Sequence, residues 1–196
     1  MTVVNFDFAV RGKRSPRLVS PAAVARANAR ARIPGKRVLG FTRVRFGYYD
    51  PQLSWSVART ADPKWIMMSL VQVNCAAELM LDIQIAANIA RGSPCFAHVL
   101  AHERQHFDIW RRGMSGRKAR IGADIRKRLL TYFRSPRRVP AADETIIRSD
   151  YQGIVWQIAK DTVEAHARKV RIASLKIHTP AELAETNRIC AAHLAP

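Results

Sequence analysis

The spacing of apolar and polar residues changes its period near residue 94 of this 196-residue chain. Before that point, apolar side chains alternate with polar ones in stretches separated by turn residues, which is the two-residue period of half-buried strands. After it, apolar residues recur every three or four positions, as in amphipathic helices. Strands followed by helices predict an α+β fold.

Four strands are predicted before residue 94. They span Val38 to Tyr49, Leu53 to Val57, Trp65 to Asn74 and Leu79 to Ile85. Asp50-Pro51 and Asp62-Pro63 are turn signals between them. Short turns between strands of this length favour an antiparallel meander.

The first 35 residues differ from the rest in composition. Residues 1–19 are basic and predict a loosely ordered arm with one short strand at Val3 to Phe8. Ser20-Pro21 is a helix-start signal, and we expect the Ala-rich helix that follows to run to Ile33 and end at Pro34-Gly35. The expected organisation is an N-terminal arm and helix over residues 1–35 and one domain over residues 36–196.

Helices account for most of the remaining chain. Their expected ranges are Pro94 to Arg112, Lys118 to Phe133, Ala142 to Ser174 and Thr179 to His193. Ser93 is suited to cap the first of these helices and Pro94 to occupy its first turn, because each residue type favours that position.

The helix after Pro94 contains His102-Glu103-Arg104-Gln105-His106. Residues four apart on a helix differ by about 40° in azimuth, so both histidines project from one face and can bind one metal ion. Glu103 lies about 100° round from His102, where a carboxylate reaches a metal-bound water without binding the metal. Two imidazoles and one further ligand suit Zn²⁺ with one position left for water. The pattern therefore predicts a catalytic zinc site with Glu103 as general base, and surface histidines are the alternative.

The third ligand is sought further along the chain, because the spacing His-x-x-Gly-x-x-His of metzincins is absent after His106. On the predicted helix after residue 142, His166 lies within about 60° of Val155 and other apolar residues on one inward stripe. Asp161 and Glu164 fall on the far side of that helix. We therefore expect His166 as the third ligand, with Asp161 and Glu164 as alternatives. A buried structural histidine is the other interpretation of His166.

The net charge of +18 is extreme for a chain of this length. Its basic residues fall in four clusters, Arg11 to Arg17, Arg26 to Arg45, Arg111 to Arg128 and Arg134 to Arg138. Such a surface attracts polyanions such as nucleic acid, anionic lipid, envelope polymers or acidic proteins. The alternative is a solvated basic surface without a specific partner.

The three cysteines, Cys75, Cys95 and Cys190, are too few for a disulfide scaffold and lack metal-site spacing. We expect buried free thiols. The alternative, if the protein is exported, is a disulfide between Cys75 and Cys95, which flank one predicted strand.

No apolar run is long enough to span a membrane. The N-terminus lacks the basic-then-apolar order of a secretory signal peptide. The cytoplasm is therefore expected by default, with export by another route open, and the sequence does not indicate an oligomeric state.

The residues of the zinc motif and its neighbours resemble a bacterial family of predicted secreted zinc-dependent proteases, classified as a domain of unknown function. That family combines a strand meander carrying a Thr-x-Trp-like element, a helix with His-Glu-x-x-His, and a late Tyr-Asp-x-x-Thr-x-His-Gly. Leu53-Ser54-Trp55 is similar to the first element, His102 to His106 match the second, and Asp161 and His166 match the third with the same spacing. The resemblance spans residues 38–170 and implies a zincin-like fold. The late Tyr, Thr and Gly and the signal peptide are not found in this chain.

The motif and the resemblance together predict a zinc metallopeptidase of the zincin type that acts on a peptide or protein. His102, His106 and His166 are expected to hold Zn²⁺. Glu103 is expected to take a proton from the attacking water and pass it to the leaving amine.

Two further roles are assigned to the same predicted enzyme. The strand Leu79 to Ile85 is expected to pair with extended substrate backbone. Tyr151 or His98 is the expected donor to the oxyanion. The alternative function is that of a basic polyanion-binding protein with a structural or vestigial metal site.

Overall fold

The computed structural model describes residues 2–31 and 39–194, with the side chains of residues 28–31 and 194 not described. Helices make up 51% of it and strands 33%, so the predicted α+β class is confirmed. The strands are β1 (Val3–Val19), β2 (Gly40–Tyr48), β3 (Gln52–Arg59), β4 (Trp65–Ala86) and β5 (Arg137–Pro140). The helices are α1 (Pro21–Ala31), α2 (Pro94–Ser115), α3 (Lys118–Tyr132), α4 (Glu144–Leu175), α5 (Pro180–Ile189) and α6 (Ala191–Leu194), with a 3-10 turn at Ala141–Asp143.

β4 is the centre of the sheet, because each of the other four described strands pairs with it. β3 and β5 are antiparallel to β4. β1 runs parallel to β4. The Cys75 thiol contacts the Asn5 carbonyl near the start of β1, and further along both segments the Ala87 amide donates to the Val19 carbonyl. The sheet is therefore mixed, and the expectation of a purely antiparallel meander is wrong.

β4 joins two stretches that were predicted as separate strands. No glycine or proline lies between residues 74 and 79, and the alternation continues through them with Cys75, Ala77 and Leu79 buried. β1 is also longer than predicted, because the expected strand ended at Phe8. The basic residues after Phe8 mask the alternating pattern in the sequence, but in the structure they belong to the strand and their side chains are exposed.

The predicted helix starts at Pro94, Lys118 and Thr179 are confirmed, whereas α4 begins at Glu144, two residues after the expected Ala142. The Ser93 hydroxyl accepts from the Phe96 amide at 3.1 Å before α2, and the Thr179 hydroxyl accepts from the Glu182 amide at 3.1 Å before α5. α1 begins at Pro21 as expected. Its expected end at Pro34-Gly35 and the expected boundary between residues 35 and 36 lie outside the described residues.

Contacts divide the chain into two compact units, which are described separately. The first unit comprises residues 1–9, 46–78 and 116–167. Ile66 and Met68 of β4 pack there with Val139 of β5. Ile121, Ile125 and Leu129 of α3 are buried there, as are the apolar positions of α4 around Val155.

The second unit comprises residues 10–45, 79–115 and 168–196. Its core combines one face of β4 with one face of α2. The buried members are Leu79, Leu81, Ile83 and Ile85 from β4 and Val99, Phe107, Trp110 and Met114 from α2. None of the helices in the described ranges combines the length and apolar character needed to cross a bilayer.

Candidate metal centre

Three histidines of the second unit form a group that can hold a metal ion. His102, His106 and His178 each offer a ligand atom, and these atoms lie within 4.8 Å of one another. The ring centroid of His178 is 5.0 Å from that of His102 and 4.7 Å from that of His106. The group combines two residues of α2 with one from the segment between α4 and α5.

α2 places His102 and His106 one turn apart on the face predicted from their spacing. Their Nε2 atoms are 3.1 Å apart. Two nitrogen ligands at about 2.0–2.1 Å from a tetrahedral zinc ion are separated by about 3.3 Å. The two α2 imidazoles therefore already have nearly the separation that one shared ion requires.

In His102 and His106 the second ring nitrogen, Nδ1, contacts a residue outside the three-histidine group. His102 Nδ1 lies 2.9 Å from the Glu182 carboxylate, and His106 Nδ1 lies 2.7 Å from the Ser174 hydroxyl. A carboxylate accepts the Nδ1 proton and fixes the neutral tautomer whose Nε2 carries the lone pair. Such outer hydrogen bonds are typical of histidines that bind metals. The donor set and its outer partners thus fit a metal ion.

His178 is positioned by the tight connection between α4 and α5. Its amide donates to the Leu175 carbonyl at 3.2 Å, which wraps the chain directly after the last turn of α4. The next residue, Thr179, caps α5. His178 therefore lies between two helix ends rather than in a free loop.

Glu103 is buried beside β2, with 5% of its surface exposed. The Thr42 hydroxyl lies 3.0 Å from its carboxylate and 2.8 Å from its backbone carbonyl, so Thr42 is positioned to donate to either oxygen. A Cβ atom at Gly40 would lie 2.8 Å from a Val99 methyl and 3.0 Å from the Gln84 carbonyl. Only glycine allows β2 to approach α2 this closely, and that approach brings Thr42 to Glu103.

His166, the expected third ligand, does not belong to this group. It is buried as predicted, but it lies in the first unit, with its Nε2 2.9 Å from the Asp124 carboxylate. The alternatives Asp161 and Glu164 also belong to the first unit, where Asp161 accepts from the Gln157 amide at 2.7 Å. The apolar stripe of α4 correctly identified a buried histidine. The group of ligand atoms that the structure brings together contains His178 in place of the expected His166.

The two expected oxyanion donors lie in different surroundings. Tyr151 is in the first unit, stacked on Trp55 with ring centroids 5.3 Å apart. His98 is on α2, one turn before His102, and its Nε2 lies 2.9 Å from the Thr186 hydroxyl of α5. His98 thus remains in the unit of the histidine group, and Tyr151 belongs to an aromatic cluster of the other unit.

The helical spacing of apolar residues does not indicate His178 as a ligand, because His178 lies between two helices. The signal that points to it is its place directly before Thr179-Pro180, where the last predicted helix begins. A histidine at such a position has a fixed backbone, which is what a metal ligand needs.

The cysteines differ from expectation. Cys95, at the start of α2, forms a disulfide with Cys190, which follows α5. The expectation of three free thiols is wrong, as is the alternative pairing of Cys75 with Cys95. Cys75 is free and buried as expected, and burial raises the pKa of its thiol to about 11.

The basic residues are concentrated in the unit that contains the histidine group. Residues of the second unit include twenty Lys and Arg against five Asp and Glu, whereas those of the first include thirteen against ten. On β2, Arg43 and Arg45 are exposed beside Thr42. The metal group therefore belongs to a strongly cationic part of the chain.

Three neutral imidazoles suit several divalent ions, among them Zn²⁺, Cu²⁺, Ni²⁺ and Fe²⁺. The buried carboxylate of Glu103, the residue after His102, adds a group able to accept a proton. No protein-family model, curated protein or solved structure matches this chain.

Proposed function

We propose that the protein is a zinc-dependent metallopeptidase with a zincin-like site formed by His102, His106, His178 and Glu103. The observation that carries the proposal is the convergence of three imidazoles, two of them from α2, the helix that also carries the buried Glu103. His-Glu-x-x-His with a third protein ligand is the arrangement of zinc enzymes that hydrolyse peptide bonds. The resemblance to the predicted secreted zinc protease family supports the same activity.

When bound, zinc supplies a Lewis acid and lowers the pKa of a coordinated water to about 7. Glu103 accepts the proton of the attacking water and donates it to the amine that leaves. Thr42 holds the carboxylate in place, which reduces the disorder of the general base. Glu182 and Ser174 keep the α2 imidazoles in the orientation that ligation needs.

The substrate backbone is proposed to pair with β2 rather than with the stretch from Leu79 to Ile85. That stretch belongs to β4, whose two edges are used by neighbouring strands. β2 stands at the end of the strand order and carries Thr42, which contacts Glu103. A peptide added to β2 would therefore run past the general base.

The metal content of the purified protein tests this proposal most directly. We expect about one zinc per chain by elemental mass spectrometry and hydrolysis of casein or of a peptide library. A chelator should abolish hydrolysis, and added Zn²⁺ should restore it because the site is formed by side chains that remain in place. Protein that contains no bound metal, or that holds zinc and cleaves no member of the library, would contradict the proposal.

The second candidate function is binding of a polyanion, which the charge of the second unit favours. If the basic residues bind nucleic acid or an envelope polymer through phosphate-like groups, affinity should fall steeply with salt. Titrating DNA at 50 and 200 mM salt separates the two candidates. A steep salt dependence in protein without zinc favours the polyanion binder, and a metal-dependent hydrolysis that is insensitive to DNA favours the peptidase.

A further inference from the structure

One face of α2 is connected to the C-terminal part of the chain by a row of contacts, here called the α2 contact row. Its members are the disulfide Cys95–Cys190 and the hydrogen-bonded pairs His98–Thr186, His102–Glu182 and His106–Ser174. The α2 members rise by three or four residues while their partners fall by four to eight. The C-terminal segment therefore follows α2 in the opposite direction, in steps of one helical turn along α5 and a longer step from α5 to the end of α4.

His178 lies within this row, between its partners Ser174 and Glu182. The row thus provides both the third imidazole and the outer hydrogen bonds of the other two. Whatever holds the C-terminal segment against α2 also holds the metal group together.

α5 has little apolar anchorage of its own. No residue of Pro180–Ile189, all of which is described, is buried. Cys190, directly after α5, is fully buried, and its partner Cys95 has only 2% of its surface exposed. The disulfide is therefore the buried attachment of α5, and the remaining contacts of the row are polar hydrogen bonds worth little individually.

We propose that the Cys95–Cys190 disulfide positions His178 and Glu182, so that the protein holds its metal tightly only after this disulfide has formed. The proposal rests on the metal site proposed above. In its formation the two thiols lose two protons and two electrons to a disulfide oxidant, which becomes a dithiol. A dithiol or phosphine reductant reverses the step. Because both sulfurs are buried, attack requires α5 to move away from α2.

The proposal places assembly of the site in an oxidising compartment. Disulfides persist in secreted and periplasmic proteins and are uncommon in the reducing cytosol. In a reducing environment α5 would lose its covalent attachment to α2, and the third ligand would be supplied by a less constrained segment. The chain would then bind metal weakly until the sulfurs are oxidised.

The first experiment compares zinc affinity with and without the disulfide, by competition with a chromophoric chelator. We expect the variant C95A/C190V, which keeps the site apolar, to bind zinc about 10- to 100-fold more weakly than the oxidised wild type, the range for loss of ligand-orienting contacts. Cys75→Ser, which removes the free thiol, is the matched control and should bind as the wild type does. Equal affinities for C95A/C190V and the wild type would overturn the proposal.

The second experiment uses the wild type alone and does not depend on whether the variant folds. Bound metal should hold α5 against α2 and lower the population in which the sulfurs are reachable. Saturating Zn²⁺ should therefore slow reduction by a phosphine about 10- to 100-fold, followed by alkylation and mass spectrometry. A reduction rate that is the same with and without zinc would overturn the proposal.

The outcomes separate this proposal from the proposed function. Disulfide-dependent zinc binding without peptide hydrolysis would remove the peptidase and leave the inference standing. Hydrolysis and zinc affinity that are unchanged in C95A/C190V would remove the inference and leave the peptidase. Oxidised wild type that binds no zinc would remove both.

Discussion

Replacement of Glu103 by glutamine is expected to abolish peptide hydrolysis while leaving metal content unchanged. Gln is nearly isosteric with Glu, and its amide oxygen can still accept from the Thr42 hydroxyl, so the buried position beside β2 is preserved. The amide cannot accept the proton of the attacking water. Loss of a general base costs about 10²- to 10⁴-fold in rate. The measurement is kcat/KM on the best library peptide, with zinc quantified in the same preparations.

The matched control is Glu144→Gln on α4. Glu144 is a partly exposed carboxylate that accepts from the Arg148 guanidinium at 2.9 Å, and it belongs to the first unit, which does not contain the histidine group. We expect this variant to hydrolyse peptides at the wild-type rate. Hydrolysis by Glu103→Gln at the rate of this control would exclude Glu103 as the general base.

A substitution at Thr42 tests how much the position of the Glu103 carboxylate contributes to the rate, apart from its role as the base. Thr42→Val keeps the branched shape of the side chain but removes the hydroxyl that contacts the Glu103 carboxylate. One lost hydrogen bond to a charged group corresponds to about 1.5–3 kcal/mol, or roughly a 10- to 150-fold effect. Its loss of rate should therefore be smaller than that of Glu103→Gln at equal zinc content. A larger loss would assign the main role to Thr42.

The sequence was informative wherever a feature repeats along a single element. The spacing of His102 and His106 placed both imidazoles on one face of α2, and the structure has their Nε2 atoms 3.1 Å apart. Ser93 and Thr179 identified helix starts because a side-chain cap is a local interaction. The buried stripe of α4 was also found, down to His166 itself.

The features that the sequence did not reveal depend on pairs that are distant along the chain. The disulfide joins residues separated by 95 positions, and no spacing rule relates Cys95 to Cys190. The parallel strand β1 was concealed by its own basic residues. His178 has no periodic neighbours, and its role follows only from the packing of α5 against α2. Each of these features is determined by tertiary contacts, which the spacing of residues along the chain does not show.

Replacement of His178 by alanine is expected to remove the third ligand and weaken zinc binding by roughly 10²- to 10³-fold. Four-ligand zinc sites gain about 10–16 kcal/mol, so one imidazole accounts for a few kcal/mol of this. His178 lies in the connection between α4 and α5 and is only partly buried, so the fold should survive its truncation. Zinc competition and circular dichroism of the same samples measure both effects.

His166→Ala is the variant that distinguishes the two ligand sets. His166 is 5% exposed and contacts Asp124, so its truncation should lower the free energy of unfolding by about 1–3 kcal/mol, in the range for a buried polar contact. It should leave zinc affinity unchanged, because the described metal group does not include it. Urea unfolding and chelator competition give the two values. If His166→Ala loses zinc and His178→Ala retains it, the ligand set inferred from the apolar stripe of α4 is the correct one.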